Sequence, residues 1–415
     1  MDKLLLDLFE AYYDARRNKR NTHSQLKFEL DMEHNLIELY DEIRERRYQP
    51  HPCTCFIIED PVKREVFASD FRDRVVHHLY YNYVSPMFER MFIFDSYSCR
   101  KGKGTLFGIE RLEHHIRSCS RNYRRETYVL KLDITGYFMS IERERLKREV
   151  LAMLEKCWKR KATKRSTYAQ LLNRELIEYL TEVIISRNPL QGCKIRGSER
   201  DWEGLPQTKS LRYAPDGFGL PIGDLTSQLF SNVYLNRLDW YVKRDLGFEH
   251  YGRYVDDFYI VDTDKERLQR AIEQIREFLK QKLGLTLHPK KIVLRRVEDG
   301  VEFLGAIVRP YYRHVTKRTT RKFNRRWEEW EYVCRQEHLS EEEREKVFRS
   351  MNSYLGYFQH YPLKRLLKGK VERARYVTQR FEFAVDCGKV GNREQGIGNK
   401  EQGIGNREQG IGNRE

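Results

Sequence analysis

Apolar residues along the chain follow a helical rhythm in some segments and a strand-like alternation in others. In HSQLKFELDMEHNLIELYDEIRERRY, Leu26, Leu30, Leu36, Leu39, Tyr40 and Ile43 recur at helical spacing, which predicts a helical N-terminal subdomain. CFIIEDPVKREVFASD alternates like a strand pair interrupted at Pro61, and FRDRVVHHLYYNYV reads as a helix with Val75, Val76, Leu79 and Tyr83 inward. YVLKLDITGYF reads as a buried strand. In GFGLPIGDLTSQLFSNVYLNRLDWYVK the glycines precede a helical stripe through Leu225, Leu229, Val233 and Leu238. The runs HYGRYV and FYIVD flank Asp256 and Asp257, predicting a hairpin with the acids at its turn. RLQRAIEQIREFLKQKLG is an amphipathic helix by pattern, and KIVLRRVEDGVEFLGAIV reads as two strands around an Asp-Gly turn. From about Thr319 the rhythm is helical again, and Phe323, Trp327, Trp330 and Cys334 form a stripe read as core rather than as a ligand platform.

The tail after Gly391 repeats one heptapeptide as REQGIGN, KEQGIGN and REQGIGN. One apolar residue per repeat cannot bury a face, so disorder is expected. A seven-nucleotide DNA repeat, once translated, gives the same period.

Across the whole 415 residues, 40% are hydrophobic and 13% aromatic, enough for a substantial core. No run approaches the ~20 apolar residues of a membrane span, and the acids in MDKLLLDLFEAYYDARR argue against a signal peptide. A soluble, cytoplasmic protein with no membrane partner is therefore expected. Lys and Arg number 78 against 62 Asp and Glu, a net charge of +16. That excess suits a polyanionic partner, whose condensed counterions are released on binding, although a solvated basic surface gives the same count. Of the eight cysteines only Cys53 and Cys55 are close in sequence. A lone CxC is a poor metal signature, and thiols idle in a reducing compartment are the expectation.

The chemistry lies with the acids. In RYVDDFYIV two carboxylates sit among apolar residues, where an unpaired charge costs several kcal/mol unless a cation compensates it. An exposed Asp-Asp hairpin tip would read the same way. Asp133 in LKLDITGYF again lies in an apolar strand, with no lysine or arginine immediately beside it on the chain. Two strands that each deliver acids, in a basic protein, fit a two-metal site for phosphoryl transfer, and hard oxygen ligands favour magnesium.

Seven blocks in order, KREVFASDFRDRVVHHLYYNYVSPMFE, SYSCRKGKGT, YVLKLDITGYFMSI, GLPIGDLTSQLFSNVYLN, RYVDDFYIV, LHPKKIVL and VEFLGAIV, resemble the successive motifs of reverse transcriptases over roughly residues 55 to 310. The resemblance implies an α+β right-hand polymerase, with fingers, a palm bearing a small antiparallel sheet, and a helical thumb. The implied divisions are an N-terminal helical region and fingers over 1–126, a palm over 127–310 with an inserted segment at about 155–215, a thumb over 311–385 and the repeat tail over 386–415. Ile222 in LPIGDLTSQ stands where group II intron, retron and retroviral enzymes usually have glutamine, and Gln228 where they have proline. Isoleucine followed by SQ resembles the enzymes of diversity-generating retroelements, as do GCKIRGSERDWEGLPQTKSLRY and MNSYLGYFQHYPLKRL. Such enzymes copy a template RNA into error-prone cDNA.

The resemblance also implies roles. Asp133 and Asp256 would be metal ligands, with Asp257 as the third acid and the Ile134 carbonyl adding a ligand. Two magnesium ions are the implied cofactor, with manganese as a substitute. Phe138 matches the steric gate that excludes a 2′-hydroxyl. Arg64 matches the residue that holds the incoming dNTP triphosphate, and Lys63 replaces the usual proline beside it. Ile222, Gly223 and Gln228 would line the dNTP site. Lys291, with Lys290 as competitor, would protonate pyrophosphate. The implied partners are template RNA, the primer or cDNA 3′ end, dNTPs and a small basic oligomeric accessory protein. Basic segments WKRKATKR, beside Trp158, and TKRTTRKFNRRW offer template contacts. A reverse transcriptase of another bacterial lineage, serving phage defence or an intron, and a non-catalytic nucleic-acid binder on the same fold remain alternatives.

Overall fold

The computed structural model describes residues 2–17, 21–59, 62–159, 173–383 and 390–392. The basic run after Lys159 and almost all of the repeat tail lie outside them. The described chain divides into two units, residues 1–304 with 308–311, and residues 305–307 with 312–415.

The first unit opens with a helix that the hydrophobic reading passed over, α1 (Lys3–Arg16), which buries Leu8, Ala11, Tyr12 and Ala15 at helical offsets. The side chain of Asp2 caps it by accepting from Leu4 N at 2.9 Å. The long helical pattern that follows is broken at Leu30 and Asp31 into α2 (His23–Glu29) and α3 (Met32–Arg44). Leu36, Leu39, Tyr40 and Ile43 enter the core, but Leu26 and Leu30 are exposed, because the break rotates α2 so that Gln25 and Phe28 face inward.

Strands β1 (Thr54–Ile58) and β2 (Arg64–Ala68) pair antiparallel. Helix α4 (Phe71–Phe88) buries Val75, Val76, Leu79 and Tyr83 as expected. It also buries Arg72, Asp73 and His77, so it runs through the core rather than over it. Next come α5 (Thr105–Cys119), β3 (Tyr128–Asp133), the short α6 (Tyr137–Ser140), α7 (Arg143–Lys159) and α8 (Arg174–Ser186). The two-residue β4 (Lys194–Ile195) then joins β1 in parallel, so residues beyond α8 extend the β1–β2 sheet. Helix α9 (Leu225–Trp240) is buried along most of its length.

A four-stranded sheet supports the acids. Its order is β5 (His250–Tyr254), β6 (Asp257–Asp262), β3 and β7 (Val293–Arg296), and every pairing is antiparallel. Between β6 and β7, α10 (Lys265–Phe278) turns Leu268, Ala271 and Ile275 inward, the amphipathic pattern read from sequence. The two strands expected around Asp299-Gly300 exist, but they are not a hairpin. β7 pairs with β3, and β8 (Val301–Phe303) lies outside that sheet, because a 3-10 turn over Val297–Asp299 redirects the chain.

In the second unit, α11 (Lys317–Cys334) buries Phe323, Trp327, Trp330 and Cys334, which is the core reading of that stripe. Helix α12 (Glu341–Phe358) starts with a capping box between Ser340 and Glu343, and its Phe358 ring lies 4.8 Å from that of Phe323. The class is thus α+β with small antiparallel sheets. No helix among the described residues is long and apolar enough to cross a membrane.

Candidate active site

Strand alternation decides which side chains meet. On β3, Leu130 and Leu132 face the core, so Lys131 and Asp133 share the opposite face. Asp133 is the direct cross-strand partner of Asp257, and the two carboxylates therefore stand on one face. Asp256 occupies the β5–β6 turn beside Val255, whose φ of 55° is left-handed. The hairpin with acids at its turn is present as read.

These acids are crowded. Burial, together with the Asp133 carboxylate, pushes Asp256 up to about 6. Burial pushes Asp257 up to about 7 against the opposing effect of Lys131. Lys131 Nζ lies 3.2 Å from Asp257 Oδ2, and Lys291 Nζ donates to Asp133 Oδ2 at 2.9 Å. The other carboxylate oxygen of Asp257 is buried without a hydrogen-bond partner. Lys131 is not an immediate chain neighbour of Asp133, but the strand period of two sets it on the same face.

Among the described residues, no three His, Cys, Asp or Glu side chains are arranged as a finished metal cage. What is present suits hard divalent cations all the same: oxygen donors only, an orphaned buried carboxylate oxygen, and carboxyl groups whose charge is disfavoured by burial. Ile134 is buried just after Asp133, bridged to Leu287, while His288 N donates to the Asp133 carbonyl at 2.8 Å. A cleft of about 280 Å³ is lined by Asp133, Lys131, Lys290, Lys291 and Arg295. Of the two adjacent lysines, Lys291 is the one whose ammonium reaches an acid.

Arg64, at the start of β2, is exposed and makes no ion pair among the described residues, and its charge acts on Asp256 and Tyr254. Lys63 Nζ donates to the Glu203 carbonyl at 2.8 Å and so ties the turn before Arg64 to the segment beyond β4.

Phe138 and Ile222 come together on the same unit, both packed half-buried against a cluster of Cys53, Cys55, Phe67, Met139 and Leu211. The Ile222 carbonyl accepts from Phe67 N at 2.8 Å. Gly223 has φ 143°, and a Cβ there would come within 2.2 Å of the Phe67 carbonyl oxygen, so no other residue fits this approach. Gln228 is exposed on the first turn of α9, and its side chain makes no hydrogen bond among the described residues. Behind this cluster Glu65, fully buried, accepts from Trp202 Nε1 at 2.7 Å, Ser210 Oγ at 2.8 Å and Leu211 N at 2.6 Å. Nothing in the sequence pattern flagged Glu65. The cysteines among the described residues are free thiols, and Cys193 Sγ lies 3.5 Å from Cys53 Sγ although 140 residues separate them.

Comparison with known proteins adds the following. The family model described as reverse transcriptase (RNA-dependent DNA polymerase) matches residues 64–308, more than half of the 415-residue chain. Protein YkfC of Escherichia coli (strain K12) is 23% identical over 322 residues, covering 69% of this chain and 73% of that protein. Among solved structures, apo telomerase from Candida tropicalis, truncated from the C-terminal domain, matches with a TM-score of 0.45 and 12% identity, over 66% of this chain and 59% of that one. Telomerase from Candida albicans with a TWJ fragment of telomeric RNA matches with a TM-score of 0.43 and 14% identity, over 84% of this chain and 59% of that one. The chain thus spans about three-fifths of those telomerase chains.

Proposed function

The chain belongs to the reverse transcriptase (RNA-dependent DNA polymerase) family, and from that premise we propose that it is a working polymerase that extends a primer 3′ end with dNTPs on a template RNA. The observation that carries the reading is the register of β3 and β6, which sets Asp133 opposite Asp257 with Asp256 in the adjoining turn.

Asp133 and Asp256 would hold two magnesium ions, or manganese in their stead, with Asp257 supporting from the facing position and the Ile134 carbonyl as a further oxygen. Such ions, when bound, lower the pKa of the primer hydroxyl and neutralise the triphosphate. Lys131 and Lys291 supply the positive charge to these acids in the structure, a role that bound cations would share. Lys291 would give a proton to the departing pyrophosphate. Arg64, exposed and without an ion pair among the described residues, suits a triphosphate, which a guanidinium meets through two parallel hydrogen bonds. Phe138 excludes a 2′-hydroxyl, and Ile222 with Gly223 backs the nascent pair, while Gln228 remains a dNTP contact on sequence resemblance alone. On this reading residues 1–126 are the N-terminal region and fingers, 127–310 the palm with its insertion, and 311–385 the thumb.

The finer assignment is to a diversity-generating retroelement, with a small basic oligomeric accessory protein as partner and a cytoplasmic site of action. Support comes from Ile222. A branched alkyl group offers the nascent pair no hydrogen bond, so discrimination relaxes. Extension of oligo(dT) on poly(rA), with Asp256→Ala as control, tests the polymerase, and equal incorporation by both proteins would discredit it. Ile222→Gln tests the mutagenic assignment: misincorporation opposite template adenine should fall, and an unchanged error spectrum removes that explanation.

A further inference from the structure

The end of the four-stranded sheet farthest from the acids carries, beside the bridged pairs Arg296–Glu126 and Arg267–Asp262, a group of arginines without an ion pair among the described residues. Helix α5 ends at Cys119, and the chain passes through Ser120, Arg121, Asn122 and Tyr123 before β3 begins. Arg121, Asn122 and Tyr123 adopt φ values of 50°, 57° and 63° in succession. Each left-handed residue other than glycine costs ~1–2 kcal/mol, so such a run needs support. Ser120 provides it: its hydroxyl accepts from Tyr123 N at 2.8 Å, and its carbonyl accepts from Arg124 N and Arg125 N at 2.9 Å each.

The resulting knob exposes Arg121, Arg124 and Arg125 beside Arg117 on the last turn of α5. Among the described residues none of these four guanidinium groups has an ion pair or a side-chain hydrogen bond. By contrast Arg237, Arg253, Arg267 and Arg296 each meet a carboxylate. Tyr311, 81% exposed, sets its ring 4.7 Å from that of Tyr123 and so offers an open aromatic face beside the arginines. Unanswered guanidinium groups around an exposed ring suit phosphates together with an unstacked base.

The knob cannot take part in the reaction. β3 runs from Tyr128 at this end to Asp133 at the other, and at ~3.3 Å per residue the two ends stand roughly 17 Å apart. We propose that Arg117, Arg121, Arg124 and Arg125, with Tyr311, anchor a folded part of the template RNA that is not being copied. Folding brings phosphates of two strands close enough together to meet four clustered cations, and a loop supplies the unstacked base. The proposal rests on the polymerase reading only for the identity of the polyanion.

The test is a variant carrying Arg121→Asn, Arg124→Gln and Arg125→Gln. Asparagine accepts the left-handed conformation, and because all three side chains are exposed and make no ion pair among the described residues the melting temperature should match the wild type. Binding of a fluorescent stem-loop RNA is followed by anisotropy across a monovalent salt series. The slope of log affinity against log salt should flatten by about 2 to 3, close to one unit for each arginine removed. Extension of a short primer on a short unstructured RNA template should be unchanged. Unaltered affinity and slope with the stem-loop would overturn the proposal and point to an acidic protein instead. An equal loss on double-stranded DNA of the same length would overturn the assignment to RNA. If the wild type fails to extend the short primer, the polymerase reading fails, while the anisotropy series still tests the anchor.

Discussion

Replacing Asp239 by asparagine tests how the acid-bearing turn is held. Arg253 on β5 and Asp239 on α9 are both fully buried, and they meet through two contacts, Nε to Oδ1 at 2.7 Å and Nη2 to Oδ2 at 2.7 Å. The same guanidinium donates to Asn232 Oδ1 at 3.3 Å and to the Val255 carbonyl at 3.0 Å. Tyr251 completes the group by donating to Asp239 Oδ1 at 2.7 Å. Val255, β-branched with positive φ, costs ~1–3 kcal/mol and needs such a donor to stay in place. Asp239→Asn keeps the volume but leaves a buried guanidinium without a counter-charge, a loss of ~3–5 kcal/mol. That is a large share of the ~5–15 kcal/mol that folded proteins command. Urea unfolding should show it as a lowered midpoint. The double variant Asp239→Leu/Arg253→Met should regain much of the stability, since no charge is left buried. It should still extend primers poorly, because the Val255 carbonyl has lost its donor beside Asp256. A loss below ~1 kcal/mol for Asp239→Asn, the scale of an exposed ion pair, would refute the reasoning.

Three further outcomes are expected. Gly223→Ala should lower stability by ~2–4 kcal/mol, read by urea unfolding, through left-handed strain and collision with the Phe67 carbonyl. Phe138→Ala should raise ribonucleotide incorporation at least ~10-fold relative to deoxynucleotide, measured as a ratio of kcat/KM, since a pocket loses about that much selectivity when one steric contact goes. Lys291→Met should cut kcat by ~10²–10⁴, the range for a general acid; the same loss from Lys290→Met with Lys291→Met unaffected would reassign the role.

Much of this site was legible because short-range periodicity governs it. The alternation around Asp133 and the runs flanking Asp256 gave both strands of the acid-bearing pair, and β3 and β6 do pair in the register that joins the acids. Lys131, two residues from Asp133, is equally legible, because the strand period that sorts apolar residues sorts charges onto the same face. Other features depend on contacts that no local pattern encodes. Glu65 is an exposed-looking residue in a short strand until Trp202, Ser210 and Leu211 close over it from beyond residue 200. Cys193 reaches Cys53 only because β4 pairs in parallel with β1. Leu26 and Leu30 keep helical spacing yet stay exposed, because the pattern continues in sequence across a break in the backbone at Asp31.

The central claim is that acids from separate strands jointly hold divalent cations at the point of nucleotide addition. Anomalous scattering from crystals grown with manganese, a primer–template and a non-hydrolysable dNTP measures this directly. Metal peaks ligated by both Asp133 and Asp256 are expected, with Lys291 withdrawn from Asp133. Peaks that leave either carboxylate unligated, with the Lys291–Asp133 pair intact, would contradict it.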